Sequence, residues 1–99
     1  MFGHVIPSPR GNLSPQQSLD LANAYLDCAS KVQDQDVVLV LCHDTEVSLF
    51  QAKKASKHTN NQSIRHGIAN AYISLGRVLD QQKRVSEAEA IYKKAEKLG

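Results

Sequence analysis

Hydrophobic residues along this chain recur at helical spacing in four stretches, with polar residues breaking the pattern between them. In the first stretch Leu19, Ala22, Leu26 and Ala29 share one face, which predicts a helix over about Pro15 to Val32. The second opens with VVLVLC, a run that alone would suit a strand. Leu41, Thr45, Ser48, Leu49, Ala52 and Ala55 then continue at helical spacing with no partner strand in sight, so a helix to about Lys57 is predicted. The third, about Ser63 to Asp80, gathers Ile64, Ile68, Ala71, Tyr72, Leu75 and Leu79 in a narrow arc. His66, Asn70, Ile73, Arg77 and Gln81 lie outside that arc, and all but one are polar. The fourth turns Ala88, Ile91, Tyr92, Ala95 and Leu98 inward.

The breaks carry the chemistry of helix ends. Ser14, Pro15 and Gln17 form a capping-box pattern, in which serine and glutamine satisfy backbone donors that the first turn leaves unpaired. An aspartate in QDQD, at Gln33 to Asp36, and an asparagine in HTNNQ, at His58 to Gln62, suit the next two starts. SEAE, Ser86 to Glu89, predicts a second capping box. Before Ser14 the chain has two prolines, two glycines and no periodicity, so residues 1–13 read as an extended leader. Residues 14–59 and 60–99 read as two hairpins of one domain.

Those hairpins repeat each other. LANAY at Leu21 to Tyr25 returns as IANAY at Ile68 to Tyr72, 47 positions on, and KKASK at Lys53 to Lys57 returns as KKAEK at Lys93 to Lys97, 40 positions on. The first hairpin is therefore about seven residues longer, most easily in its second helix. Short polar connections make consecutive helices antiparallel, giving an all-α fold of two helical hairpins.

Within the second hairpin, Tyr72, the Leu75–Gly76 pair, Ala88, Tyr92 and Ala95 stand at the spacing of the tetratricopeptide repeat, which residues 69–99 resemble. Gly76 and Ala88 lack bulk where two helices approach closely, and Tyr72 and Tyr92 fill the gaps beside them. The pattern departs from the family at Leu79, where a second aromatic is usual, and at Lys83, where a turn glycine is common. The first hairpin is a more divergent unit, with Cys28 and Ala29 in the leucine-glycine positions. The resemblance implies TPR-like right-handed stacking and a non-catalytic, cofactor-free scaffold that binds a peptide or helix of a protein partner. Carried onto this chain, the family's groove positions are Asn70, Ile73, Arg77 and Gln81, with Asn23, Asp27 and Ser30 in the first hairpin. Asn70 and Arg77 are only fragments of the clamp by which some members hold a C-terminal carboxylate.

Composition narrows the alternatives. A net charge of +2 is spread along the chain, without the basic stripe or interleaved aromatics of a nucleic-acid surface. Lys53, Lys54 and Lys57, like Lys93, Lys94 and Lys97, complement helix C-termini. No signal peptide pattern opens the chain, and its longest apolar run, Val37 to Cys42, is far short of the roughly 20 residues a bilayer needs. A cytoplasmic protein with two reduced, buried thiols, Cys28 and Cys42, is expected.

Cys42, His43 and Asp44 invite a metal or nucleophile reading, but neighbours on a helix point about 100° apart and cannot converge on one ion. An alternative of another class is a four-helix histidine-phosphotransfer or sensor-type domain using His43, although Asp44 and Glu46 would repel a phosphoryl group. Finally, a repeat face needs a neighbour to cover it. The chain is expected either to belong to a longer array or to form a homodimer through its C-terminal helix.

Overall fold

A computed structural model describes residues 14–57 and 61–98. These form four helices, α1 (Pro15–Lys31), α2 (Gln35–Ser56), α3 (Gln62–Gln81) and α4 (Val85–Leu98), with no strand among the described residues. The leader and the boundary expected at residues 59 and 60 lie outside them.

Most helix starts follow the capping chemistry in the sequence. Ser14 accepts from the Gln17 backbone N–H at 3.1 Å, and the Gln17 side chain accepts from the Ser14 N–H at 2.9 Å, completing the capping box. Asp34 caps α2 through the N–H groups of Asp36 and Val37, and Asn61 caps α3 through that of Ile64. The fourth start differs from expectation. Ala88 donates to the Arg84 carbonyl at 2.9 Å, so the helix is already under way at Val85 and Ser86 lies inside its first turn. No capping box forms there, because the preceding turn delivers the chain into the helix two residues earlier.

That turn is a Schellman motif. Arg84 donates to the Leu79 carbonyl and Lys83 to the Asp80 carbonyl, both at 2.9 Å, and Lys83 takes φ 63°. Lysine thus occupies the left-handed position that glycine fills without a steric penalty.

α1 packs along α2 and α3 along α4, while α3 also lies against both helices of the first hairpin. Packing of α4 on α1 comparable to these contacts, which a closed bundle requires, is absent among the described residues. The result is an open slab of 45 × 33 × 18 Å, about two helices thick. α2 is longer than α4, 22 residues against 14, which places the first hairpin's surplus in its second helix as expected.

The core follows the predicted stripes. Leu19, Ala22, Leu26 and Ala29 of α1 are buried, as are Ile68, Ala71, Tyr72, Leu75 and Leu79 of α3. α4 buries Ala88, Ile91 and Ala95. One core expectation fails. Cys42 is buried but Cys28 is exposed, and both thiols are free. Cys28 is the repeat counterpart of the buried Leu75, and α1 has no hairpin before it among the described residues.

Lys83→Gly should stabilise the fold by about 1 kcal/mol and raise the melting midpoint by roughly 4–8 °C. A lower midpoint in a thermal melt followed by circular dichroism would place the left-handed turn elsewhere. Burial, aided by the nearby Glu46 carboxylate, pushes Tyr72 up to about 12 from an ordinary value of 10. Between those values the unfolded chain ionises this phenol and the folded chain does not, so stability should fall as pH rises from about 10 to about 12. Tyr72→Phe should flatten that alkaline limb relative to the wild type in urea melts, and identical limbs would contradict the buried phenol.

Candidate functional site

The packing of the first hairpin shows what the second leaves open. α3 lies against α1 and α2, with Gly67 over Leu19, and on those two helices Ser18, Leu19, Ala22, Leu26, Ala52 and Ser56 are all buried. Shifted by the repeat offsets, the same positions in α3 and α4 are Arg65, His66, Ala69, Ile73, Tyr92 and Glu96. These six side chains line an open groove of about 710 Å³, together with Gln62, Asn70, Ala95 and Leu98. A helix therefore occupies one groove, and its counterpart is vacant among the described residues.

Local packing shapes this groove. α3 crosses α1 closely because Gly67 faces Leu19, where an added Cβ would fall 2.7 Å from the leucine Cδ2. Gly76 faces the ring of Tyr92, and a Cβ there would lie 2.5 Å from Cε1. The small residue in IANAYISLG thus receives a large one from the next helix. The Tyr92 hydroxyl then donates to Asp80 at 3.2 Å, fixing the ring that forms one wall. Partial burial and this carboxylate both push the Tyr92 phenol up, and Arg77 opposes them.

The sequence-predicted groove residues divide in two. Asn70 and Ile73 line the groove, Ile73 half-buried and Asn70 exposed. Arg77 and Gln81 are exposed farther along α3 but outside the groove lining. Asn23, Asp27 and Ser30 are exposed on α1 and do not join them. Two of these are engaged locally, since Asp27 pairs with Lys31 at 3.1 Å and Ser30 donates to the Asp27 carbonyl at 2.7 Å. The other lining residues, Gln62, Arg65, His66, Ala69, Tyr92, Ala95, Glu96 and Leu98, were missed as site residues. A signal for His66 and Ala69 was present, because the 47-position offset maps them onto Leu19 and Ala22.

His43 is exposed on α2 at the edge of a smaller pocket, about 250 Å³, between α2 and α4. It is accessible, as a phosphotransfer histidine must be, but its surroundings include Glu46 and Glu87. Lys94 answers Glu46 at 2.6 Å, and Arg84 answers Glu87 at 2.8 Å. Both basic groups are thereby committed. Cys42 beside it is a poor nucleophile, its thiol pushed up by burial and by Glu87 against the opposing effect of Arg84. Among the described residues no three histidine, cysteine or acidic side chains gather to hold a metal ion. Nor is any described helix long and apolar enough to cross a membrane.

Compared with family models, curated proteins and solved structures, the chain matches none.

The contact between Gly76 and Tyr92 can be tested by a change of sign. Gly76→Ala gains about 1 kcal/mol of helix propensity but costs roughly 1–3 kcal/mol in overpacking against the ring. It should be neutral to destabilising in the wild type and stabilising in a Tyr92→Ala background. Equal effects in both backgrounds, measured by urea denaturation, would show that the ring does not rest on the glycine.

Proposed function

We propose that this chain is a TPR-like, non-catalytic interaction module of the cytoplasm that binds an amphipathic helix of a protein partner in the groove between α3 and α4. The observation that carries this reading is the filled counterpart: α1 and α2 hold α3 in the equivalent place. A bound helix would cover Ile73, Ala69 and the Tyr92 ring, as α3 covers Leu26, Ala22 and their neighbours. Helix-in-groove recognition gains affinity from apolar anchors one turn apart, and the polar rim here supplies Asn70, His66 and Glu96 to fix orientation. Arg77 and Gln81 extend the exposed face along α3 for a longer ligand. Both free thiols fit a reducing compartment.

A display selection of helical peptides against the immobilised chain tests the reading. Enriched peptides should be amphipathic, with small residues spaced one turn apart to admit the groove's own side chains. Ile73→Asp should weaken their binding at least about tenfold, a loss of 1.4 kcal/mol or more. Because Ile73 packs partly against the core, the variant should also melt lower, so binding is compared at a temperature where circular dichroism shows both proteins folded. Peptides that bind this variant equally well, or that bind in extended form, would remove the groove from consideration.

A further inference from the structure

The outer face of α2 carries a pattern that neither hairpin uses. Asp36, Val40, His43, Val47, Phe50 and Lys54 are all exposed, and their spacing alternates four and three residues. This is a heptad seam, the repeat by which two helices keep one face toward each other. It lies opposite the side that buries Val38, Cys42, Thr45, Leu49 and Ala52 in the core. Val40 is 60% exposed, Phe50 59% and Val47 42%, so the seam is an apolar strip in water. With apolar residues on both sides, α2 reads as a helix meant to be covered on both.

The seam is also its own complement when reversed. About a point at Thr45, Val40 exchanges with Phe50, His43 with Val47, and Asp36 with Lys54. An antiparallel copy therefore places valine against phenylalanine in two layers and aspartate against lysine at both ends. Self-complementarity about a two-fold axis is what an isologous dimer interface requires. Antiparallel alignment also sets the acidic N-terminal turn of each helix beside the basic C-terminal turn of the other, in accord with the helix dipoles. Asp44 and Glu46 approach the axis from both copies, and Lys94 already answers Glu46.

We infer that the chain forms a symmetric antiparallel dimer through the outer face of α2, the partner being a second copy of itself. This face is separate from the α3–α4 groove, and the inference does not depend on the groove's function. It also differs from pairing through the C-terminal helix, which would leave the α2 strip exposed.

Sedimentation of the full chain over a concentration series tests the inference. The wild type should pass from monomer to dimer. The variant Val40→Glu with Phe50→Glu should stay monomeric, and at concentrations where the wild type is also monomeric the two should melt alike, because both side chains are exposed. Asp36→Lys should weaken the dimer, and adding Lys54→Asp should restore it, since reversal preserves the pairing only in an antiparallel arrangement. In a Cys28→Ser background, Val40→Cys should cross-link with Phe50→Cys and not with itself. A chain monomeric throughout, a dimer unaffected by the glutamates, assembly growing beyond two copies, or efficient cross-linking of Val40→Cys alone would each overturn the proposal.

Discussion

The structure depends on a single helix having to pack on several neighbours at once. α3 forms a hairpin with α4 and lies against both helices of the first hairpin, so side chains on more than one of its faces must leave room for a neighbour. It meets this constraint twice by the same means, a large residue from the neighbouring helix set against a glycine. Leu19 faces Gly67 on one side, and Tyr92 faces Gly76 on the other. Between these contacts Ile68, Tyr72 and Leu75 are almost wholly buried, each contributing roughly 1.5–3 kcal/mol. A bulky residue at either glycine would have to separate α3 from one neighbour before it could stay with the other.

The same constraint explains which faces are open among the described residues. A helix that packs between two hairpins presents apolar residues toward both, and α1 repeats the sequence of α3 with one hairpin against it among the described residues. Leu21, Ala24 and Cys28 are therefore exposed where Ile68, Ala71 and Leu75 are buried. At the opposite end no further helix follows α4 among the described residues, and His66, Ala69 and Ile73 stand open where Leu19, Ala22 and Leu26 are covered. Exposure here follows from position in the stack and not from side-chain type, since identical alanines, Ala22 and Ala69, differ in burial.

This is also why some features were legible in the sequence and others were not. Periodicity and capping depend on residues close in the chain, and they gave the four helices, three of their starts and nearly every buried position. Lys83 stood out at a glycine site, and its positive φ confirms the turn. The capping box expected at Ser86 was misleading because Ser-x-x-Glu describes a possible cap, whereas the Schellman hydrogen bonds of Leu79 and Asp80 decide where the chain actually turns. Cys28 was expected to be a buried, reduced thiol, yet burial needs a neighbour that local pattern does not supply. In the candidate groove, Asn70 and Ile73 were singled out by a resemblance, and they are among the residues that line it. His66 and Ala95 required knowing which groove the stack leaves open.

α2 joins these considerations. Its inner face settles the first hairpin, its surplus length gives it more turns than α4, and its outer face repeats every three and four residues without a counterpart in the second hairpin. If that face pairs with a second copy, the two α3–α4 grooves remain outside the interface and belong to one particle. A partner that offers two helices could then engage both, the second binding step becoming intramolecular and governed by the spacing between grooves. Weak recognition by each groove would suffice for stable capture, because half-covered residues such as Ile73 and Tyr92 need only supply part of the affinity. The chain would then owe its selectivity to two features of different origin: the shape of a groove that its own repeat defines, and the fixed separation that the α2 pairing imposes.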